Sequence, residues 1–319
     1  MKRIFNLSVL SFTISFFILT TLIFCNKRFA TNVHVVYDGV VKFENYKKYK
    51  NTYNQLKNKH DHWNQQLSAH FINLPLGMVD SVLASKGFNS EKILDDFERD
   101  NGFKSLRSKI NEELLSYYRT GNNSPDPEIH IVLDDVERSL LNQWGEIMIG
   151  DTIYHYKNCG AIVKTVLFEE LKTIRELSAA ECQSTGFAGD YHDIRKNSDC
   201  CSFYCKDYDY GDKRIKWYVS FYNVSNLKSV ANVKAVVEKR NENNQWQRHF
   251  DKLNVNLEGI LRNAGFDGQH TKISSQYENY WGSTLSGQVE FDENLVAFRG
   301  DLMANFTINK HCKFCRVVR

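Results

Sequence analysis

The feature that most constrains this chain is a change in the spacing of its apolar residues near the middle. Between Tyr46 and about Tyr118 they recur every three or four positions: Trp63, Leu67 and Phe71, later Ile93, Phe97 and Phe103, then Leu106, Ile110, Leu114 and Tyr117. That is the repeat of one face of an α-helix. From Glu146 onward a repeat of two dominates, the period of a strand with one buried face. A chain in this order is expected to place helices first and antiparallel strands second.

Local signals fill in that outline. Asn89-Ser90 ahead of Ile93-Leu94 predicts a helix start with side-chain caps, and the Gly, Asn and Pro residues of 121–127 predict a stop. Lys47, Lys48, Lys50, Lys57 and Lys59, interleaved with Tyr46, Tyr49, Tyr53 and Leu56, read as the solvated face of an amphipathic helix. Ile147 and Ile149, the Gly150-Asp151 turn and the returning Thr152–Tyr156 predict a β-hairpin. Residues 161–177 fit either a helix or a strand followed by a helix. Residues 186–213 have no period, are rich in Gly, Asp, Tyr and Cys, and read as a long loop held by disulfides.

In the last hundred or so residues four apolar alternations stand out. They are Ile215, Trp217, Val219 and Phe221; Ala231, Val233, Ala235 and Val237; Leu253, Val255, Leu257, Gly259 and Leu261; and Leu302, Ala304, Phe306 and Ile308. Val289–Phe291 and Leu295–Phe298 read as a further hairpin across Asp292-Glu293-Asn294. Strands with one apolar face each are most simply buried by packing two sheets together, a partly open barrel being the other arrangement. The expectation is therefore an α+β chain with a helical N-terminal region, then a β-hairpin, then a C-terminal antiparallel β-sandwich. The expected boundaries are 1–30 for a signal peptide or membrane anchor, 31–127 for the α-helical region, 128–185 for the hairpin and connecting segment, 186–213 for the Cys/Tyr-rich loop, and 214–319 for the sandwich.

Ile4 to Cys25 carry no charged side chain and lie between Lys2-Arg3 and Lys27-Arg28. That layout predicts export, to the periplasm, the cell envelope or the outside. Three fates are open: a cleaved signal peptide, lipid attachment at Cys25, or retention as a membrane anchor, since the run is long enough to span a bilayer. In an oxidising compartment Cys159, Cys182, Cys200, Cys201, Cys205, Cys312 and Cys315 become disulfide candidates. Zinc ligation or a redox-active Cys312-x-x-Cys315 are the alternatives, and spacing does not decide among them. A net charge of +3 over 319 residues indicates no nucleic-acid partner.

No Gly-rich phosphate loop, Gly-x-Ser-x-Gly elbow or His-Glu-x-x-His helix occurs. His60-Asp61-His62 reads as a solvated polar turn. Asp190, His192 and Asp193, with the alternating Asp207, Tyr208, Asp209, Tyr210 and Asp212, would be the place for an acid–base, sugar-stacking or cation site. No catalytic residue, metal or cofactor is assigned.

Trp63, Gly102-Phe-Lys-Ser-Leu-Arg107, the stretch Leu141–Tyr154, and the run from Lys216-Trp217 through Val237 and Trp246 to Leu253–Gly259 together resemble a group of uncharacterised exported proteins of Bacteroidota. In that group an Asn-x-x-Gly-Glu-x-x-Ile-Gly-Asp-x-x-Tyr segment sits between a helical front and a β-rich tail. The resemblance implies export and the helix-then-strand layout, and it implies no activity. The functional expectation is a non-catalytic binding or scaffolding protein with a protein or glycan partner, touching a membrane only through its N-terminal segment. The alternative is a secreted hydrolase with a site near the Asp190–Asp212 loop.

Overall fold

The computed structural model describes residues 33–72, 89–120, 126–128, 130–157, 162–185, 191–193, 212–224, 227–263, 270–291, 298–308 and 311–318. Residues 34–319 form one compact unit of mixed α+β architecture. A short pair of strands, β1 (His34–Val35) and β2 (Val41–Phe43), opens it, so the expected helical region does not begin with a helix. The chain then runs through α1 (Tyr46–Ile72), α2 (Lys92–Asn101), α3 (Leu106–Arg119) and the single turn α4 (Asp135–Arg138). It returns as β3 (Glu146–Ile149), which lies parallel to β2 in the register Val41↔Ile147. The helices are thus a long crossover between two neighbouring strands of one sheet. β4 (Thr152–Tyr156) and β5 (Ile162–Thr165) complete that sheet in the order β1-β2-β3-β4-β5. Residues 161–177 resolve into strand then helix, with α5 (Glu170–Thr185) following β5.

At or just ahead of the starts of α1, α2 and α3 a side chain accepts from a free backbone N–H. Asn45 Oδ1 accepts from the Lys48 N–H at the start of α1 (3.0 Å), Asn89 Oδ1 from Glu91 N–H ahead of α2 (2.8 Å), and Ser105 Oγ from Ser108 N–H at α3 (3.1 Å). Tyr49, Tyr53, Leu56, Leu67 and Phe71 form the buried stripe of α1, and Leu106, Ile110, Leu114 and Tyr117 that of α3. A smaller core of Val40, Met148, Ile153 and Leu171 seats α5 on the five-stranded sheet.

The C-terminal part holds two further antiparallel sheets, and among the described residues no sheet closes into a barrel. One runs β12-β8-β7-β6, with β9 also on β8; the other runs β11-β10-β13-β14. Their strands are β6 (Tyr191–Asp193), β7 (Lys213–Val224), β8 (Lys228–Arg240), β9 (Trp246–Arg248), β10 (Asp251–Asn263), β11 (His270–Gly282), β12 (Thr284–Phe291), β13 (Phe298–Ile308) and β14 (His311–Val318). The four expected alternations fall in β7, β8, β10 and β13. Of the hairpin expected across Asp292-Glu293-Asn294, residues 292–297 lie outside the described residues. Val289–Phe291 belong to β12 and pair with β8, whereas Phe298 opens β13, which pairs with β10 and β14 in the other sheet. Alternation marks a strand and not its partner, and here neighbours in sequence are separated into different sheets.

The face that joins β7 and β8 to the crossover is charged. Positions of the same parity pair across the two strands, Arg214↔Glu238, Lys216↔Val236, Tyr218↔Lys234, Tyr222↔Val230 and Val224↔Lys228. The segment from Asp126 to Arg138 lies over them. Lys216 Nζ and Tyr218 Oη donate to Asp126 Oδ2 (2.5 and 2.7 Å), and Ser220 Oγ donates to the Ile131 carbonyl. Lys228 Nζ donates to Glu137 Oε1 (2.7 Å) and Glu290 Oε1 (3.0 Å); Tyr222 and Tyr49 donate to the two oxygens of Glu137 (2.8 and 2.9 Å). Lys234 pairs with Asp135 and Glu128 (2.8 and 3.0 Å), and Arg138 with the same Glu128 (2.8 Å). Burial alone would push the Lys228 ammonium down, but Glu137, then Tyr222 and Glu290, hold it well above the ordinary lysine value.

The hairpin motif has its own network. Asn142 Oδ1 accepts from the N–H groups of Trp144 (3.0 Å) and Glu146 (2.9 Å), while Asn142 Nδ2 donates to Glu146 Oε2 (2.8 Å). Arg175 from α5 donates to both Glu146 oxygens (2.7 and 2.5 Å) and pairs with Asp38. Burial pushes Glu146 up, but the bonds from Arg175, His155 and Asn142 outweigh it and bring the carboxyl down to about 2. Gly145 sits at φ +78°, its carbonyl accepts from Tyr156 N–H (2.9 Å), and a Cβ there would lie 2.9 Å from the Tyr156 carbonyl oxygen. Gly102, which ends α2 at φ +70°, has nothing within 4 Å of such a Cβ.

Gly102→Ala is therefore expected to cost about 1–2 kcal/mol for the left-handed backbone alone, and Gly145→Ala distinctly more because a backbone oxygen must also move. Equilibrium urea unfolding of the two variants checks this, and equal losses would contradict it. Glu146 gives a pH signature. Its folded value of about 2 lies below the ordinary 4.5, so its contribution is complete above pH 4.5 and disappears as pH falls toward 2. Thermal melts of the natural chain and Glu146→Gln should differ most at neutral pH and converge between pH 4.5 and 2. A gap that stays constant across that window would contradict the assignment.

Candidate functional site

At the edge of the charged junction lies a small, open polar cleft. Four stretches distant in sequence build it. Helix α1 contributes Lys57, His60 and Asp61; the entry to α2 contributes Ser90 and Glu91; the start of α4 contributes Asp134, Asp135 and Val136; and the bend between β11 and β12 contributes Gly282 to Ser286. The bend is held because the Ser283 carbonyl accepts from Val237 N–H on β8 (2.9 Å).

The acids of the cleft are fixed to different degrees. Asp135 is braced from behind by Lys234 and, at 3.3 Å, by Arg138. Burial pushes its carboxyl up, yet these two cations override burial and hold it at about 2. Burial pushes the Lys234 ammonium down, to about 8, against the pull of Asp135. Glu91 lies 3.2 Å from Arg107, a buried guanidinium that also serves Asp95 (2.6 Å) and Glu98 (2.7 Å). Asp61 faces Lys57 at 3.5 Å. Asp134 is only 2% exposed, and its Oδ1 caps α4 by accepting from Glu137 N–H (2.9 Å).

Asp135 stays ionised far below neutral pH, so it is a weak base there. His60 Nδ1 and Asp61 Oδ1 are 3.9 Å apart, beyond hydrogen-bond reach, and His60 instead neighbours Asn64 Nδ2 at 3.1 Å. Among the described residues no group of three or more His, Cys, Asp or Glu is placed to hold a metal ion. No helix among them is long and apolar enough to cross a membrane.

The sequence candidates fare unevenly. His60-Asp61-His62 is not a turn but lies inside α1, with His60 and Asp61 lining the cleft and His62 turned to Gln66 (3.0 Å). His192 and Asp193 lie in β6, opposite Val219 and Tyr218 on β7. Asp212 sits 3.7 Å from Lys239, and its carbonyl accepts from Arg240 N–H (2.7 Å). Cys182 falls in α5, and Cys312 and Cys315 in β14, opposite Thr307 and Ala304. Cys25, Cys159, Asp190, Cys200, Cys201, Cys205 and Asp207 to Tyr210 lie outside the described residues, as does the uncharged run Ile4 to Cys25. Glu91, Asp134, Asp135 and the Ser283–Ser286 bend were not legible as a site, because no local spacing connects them. Asp134-Asp135 three positions before Glu137-Arg138 is a helix-start signal and carries no hint of a cleft.

No protein-family model matches the chain. No curated protein matches it either. Among solved structures, a DUF4848 family protein from Bacteroides thetaiotaomicron is 14% identical over 90% of this chain and 100% of that one, with a TM-score of 0.19. The Northeast Structural Genomics Consortium target SoR45 is 8% identical over 34% of this chain and 83% of that one, TM-score 0.19. Bacteroides uniformis beta-glucuronidase 2, bound covalently to cyclophellitol-6-carboxylate aziridine, is 12% identical over 41% of this chain and 15% of that one, TM-score 0.18. The first belongs to the phylum whose exported proteins the sequence resembles, but TM-scores of this size carry no argument about fold or activity.

Proposed function

We propose that this is an exported, non-catalytic binding protein of the cell envelope or the exterior, in which the two C-terminal sheets pack as a β-sandwich and the polar cleft receives the ligand. The observation that carries this reading is the cleft itself. Its walls offer hydroxyls from Ser90, Ser283, Thr284 and Ser286 beside carboxylates braced by buried cations, with no aligned acid–base pair. Fixed donors and acceptors around a small open volume favour a polar ligand such as a glycan unit or a peptide side chain. Export rests on the uncharged run between basic pairs and on the resemblance carried by the hairpin motif.

Glycan and peptide arrays probed with the mature protein test the reading. A retained ligand is expected to lose at least about tenfold affinity when Ser286→Leu fills the cleft, a loss of ~1.4 kcal/mol, with the melting temperature unchanged. Turnover of an array glycan, abolished by changing one polar residue, would overturn the non-catalytic reading.

A further inference from the structure

We propose that Lys216 and Asp126 condense into a side-chain amide, a covalent cross-link that ties the crossover to β7 and does not involve the cleft, with Glu238 relaying the proton. The reactants are already together. Lys216 Nζ is 2.5 Å from Asp126 Oδ2 and 3.3 Å from Glu238 Oε1, and the three side chains are 1%, 4% and 0% exposed. A carbon–oxygen bond of ~1.2 Å then puts Nζ at most about 3.7 Å from the Asp126 carboxyl carbon, near the spacing of groups poised to react. Asp126 is also set up as an acyl group. Its Oδ1 accepts from the Glu128 N–H (3.1 Å), a fixed donor for charge that develops on that oxygen, and its Oδ2 accepts from Tyr218 Oη (2.7 Å). Arg214 holds Glu238 by Oε2, which leaves Oε1 facing Lys216 and the Tyr118 hydroxyl.

The step balances without a co-reactant. Lys216 passes one proton to Asp126 Oδ2, the freed amine attacks the carboxyl carbon, and Glu238 Oε1 takes a second proton from the nitrogen and returns it to Oδ2. The bond from carbon to Oδ2 breaks, water leaves, and an ammonium and a carboxylate have become one neutral amide. Burial favours that direction, because a buried ion pair bears a desolvation cost that an amide escapes, and a closed site excludes the water that would reverse it. The other buried lysines are less suited. Lys234 meets Asp135 and Glu128, but Arg138 holds both carboxylates and Asp135 lines the open cleft. Lys228 meets Glu137, whose two oxygens also accept from Tyr49 and Tyr222.

Tryptic peptide mapping of the mature protein by mass spectrometry tests this. Trypsin does not cut at a lysine whose side-chain nitrogen is an amide, so the digest is expected to contain residues 120–138 joined to residues 215–228, lighter by one water than the two free peptides together. Dehydration of Asp126 alone does not mimic this product, since closure to a succinimide needs the next backbone N–H and Pro127 has none. Lys216→Arg and Glu238→Gln should both give separate peptides, with thermal melts showing that each variant is folded. Asp126→Asn should still link, releasing ammonia in place of water and giving a product of the same mass, which an ion pair would not do. Recovery of residues 120–138 and 217–228 only as separate peptides from the natural chain would overturn the cross-link. A link that forms as completely in Glu238→Gln would overturn the relay.

Discussion

One buried ammonium joins five elements of this protein. Lys228 on β8 meets Glu137 on α4, Tyr49 on α1 and Glu290 on β12, and Glu137 in turn accepts from Tyr222 on β7. Moving such a pair out of water costs several kcal/mol per ion, which is recovered only when geometry is good and every remaining oxygen finds a donor. Here Glu137 Oε1 takes Lys228 and Tyr49 and Oε2 takes Tyr222. A greasy contact at this place would tolerate sliding. A set of directed bonds among five elements tolerates one arrangement, so the junction fixes how the helical crossover lies on the β7–β8 face.

That fixity reaches the cleft. Glu137 belongs to α4, whose first turn presents Asp134 and Asp135, while Glu290 belongs to β12, whose start presents Thr284 and Ser286. The same ionic junction that anchors both elements therefore sets the distance between the acidic wall and the hydroxyl wall. Lys234 and Arg138 extend the bracing to Asp135. A recognition site built this way is organised before a ligand arrives, which lowers the ordering cost of binding.

Much of the outline could be read from the chain, because periods of 3.6 and 2 report directly on which face is apolar. The stripe of α1 and α3, the Gly150-Asp151 hairpin and the alternations of β7, β8, β10 and β13 all follow from that. Partnership was not legible: β12 and β13 are neighbours in sequence yet join different sheets, and β2 and β3 are neighbours in space with the helices between them. Nor does alternation say that a polar face is wet. Lys216, Lys228, Lys234 and Glu238 stand at the polar positions of their strands and are all buried, the lysines because the Asp126–Arg138 segment brings carboxylates over them and Glu238 because Arg214 and Lys216 of β7 meet it. The cleft was hidden for the same reason, its residues being gathered by that docking. The cysteine-rich loop, the other site candidate, lies for the most part outside the described residues.

The measurement that bears most directly on this account is a double-mutant cycle on Lys228→Met and Glu137→Leu, read by urea unfolding. Each single change strands a buried partner and is expected to cost about 3–5 kcal/mol, whereas the double change removes both charges and should cost at least ~2 kcal/mol less than their sum. Losses that add within ~0.5 kcal/mol would mean that the two groups do not depend on one another, and the junction would no longer explain how the crossover is held on the sheet.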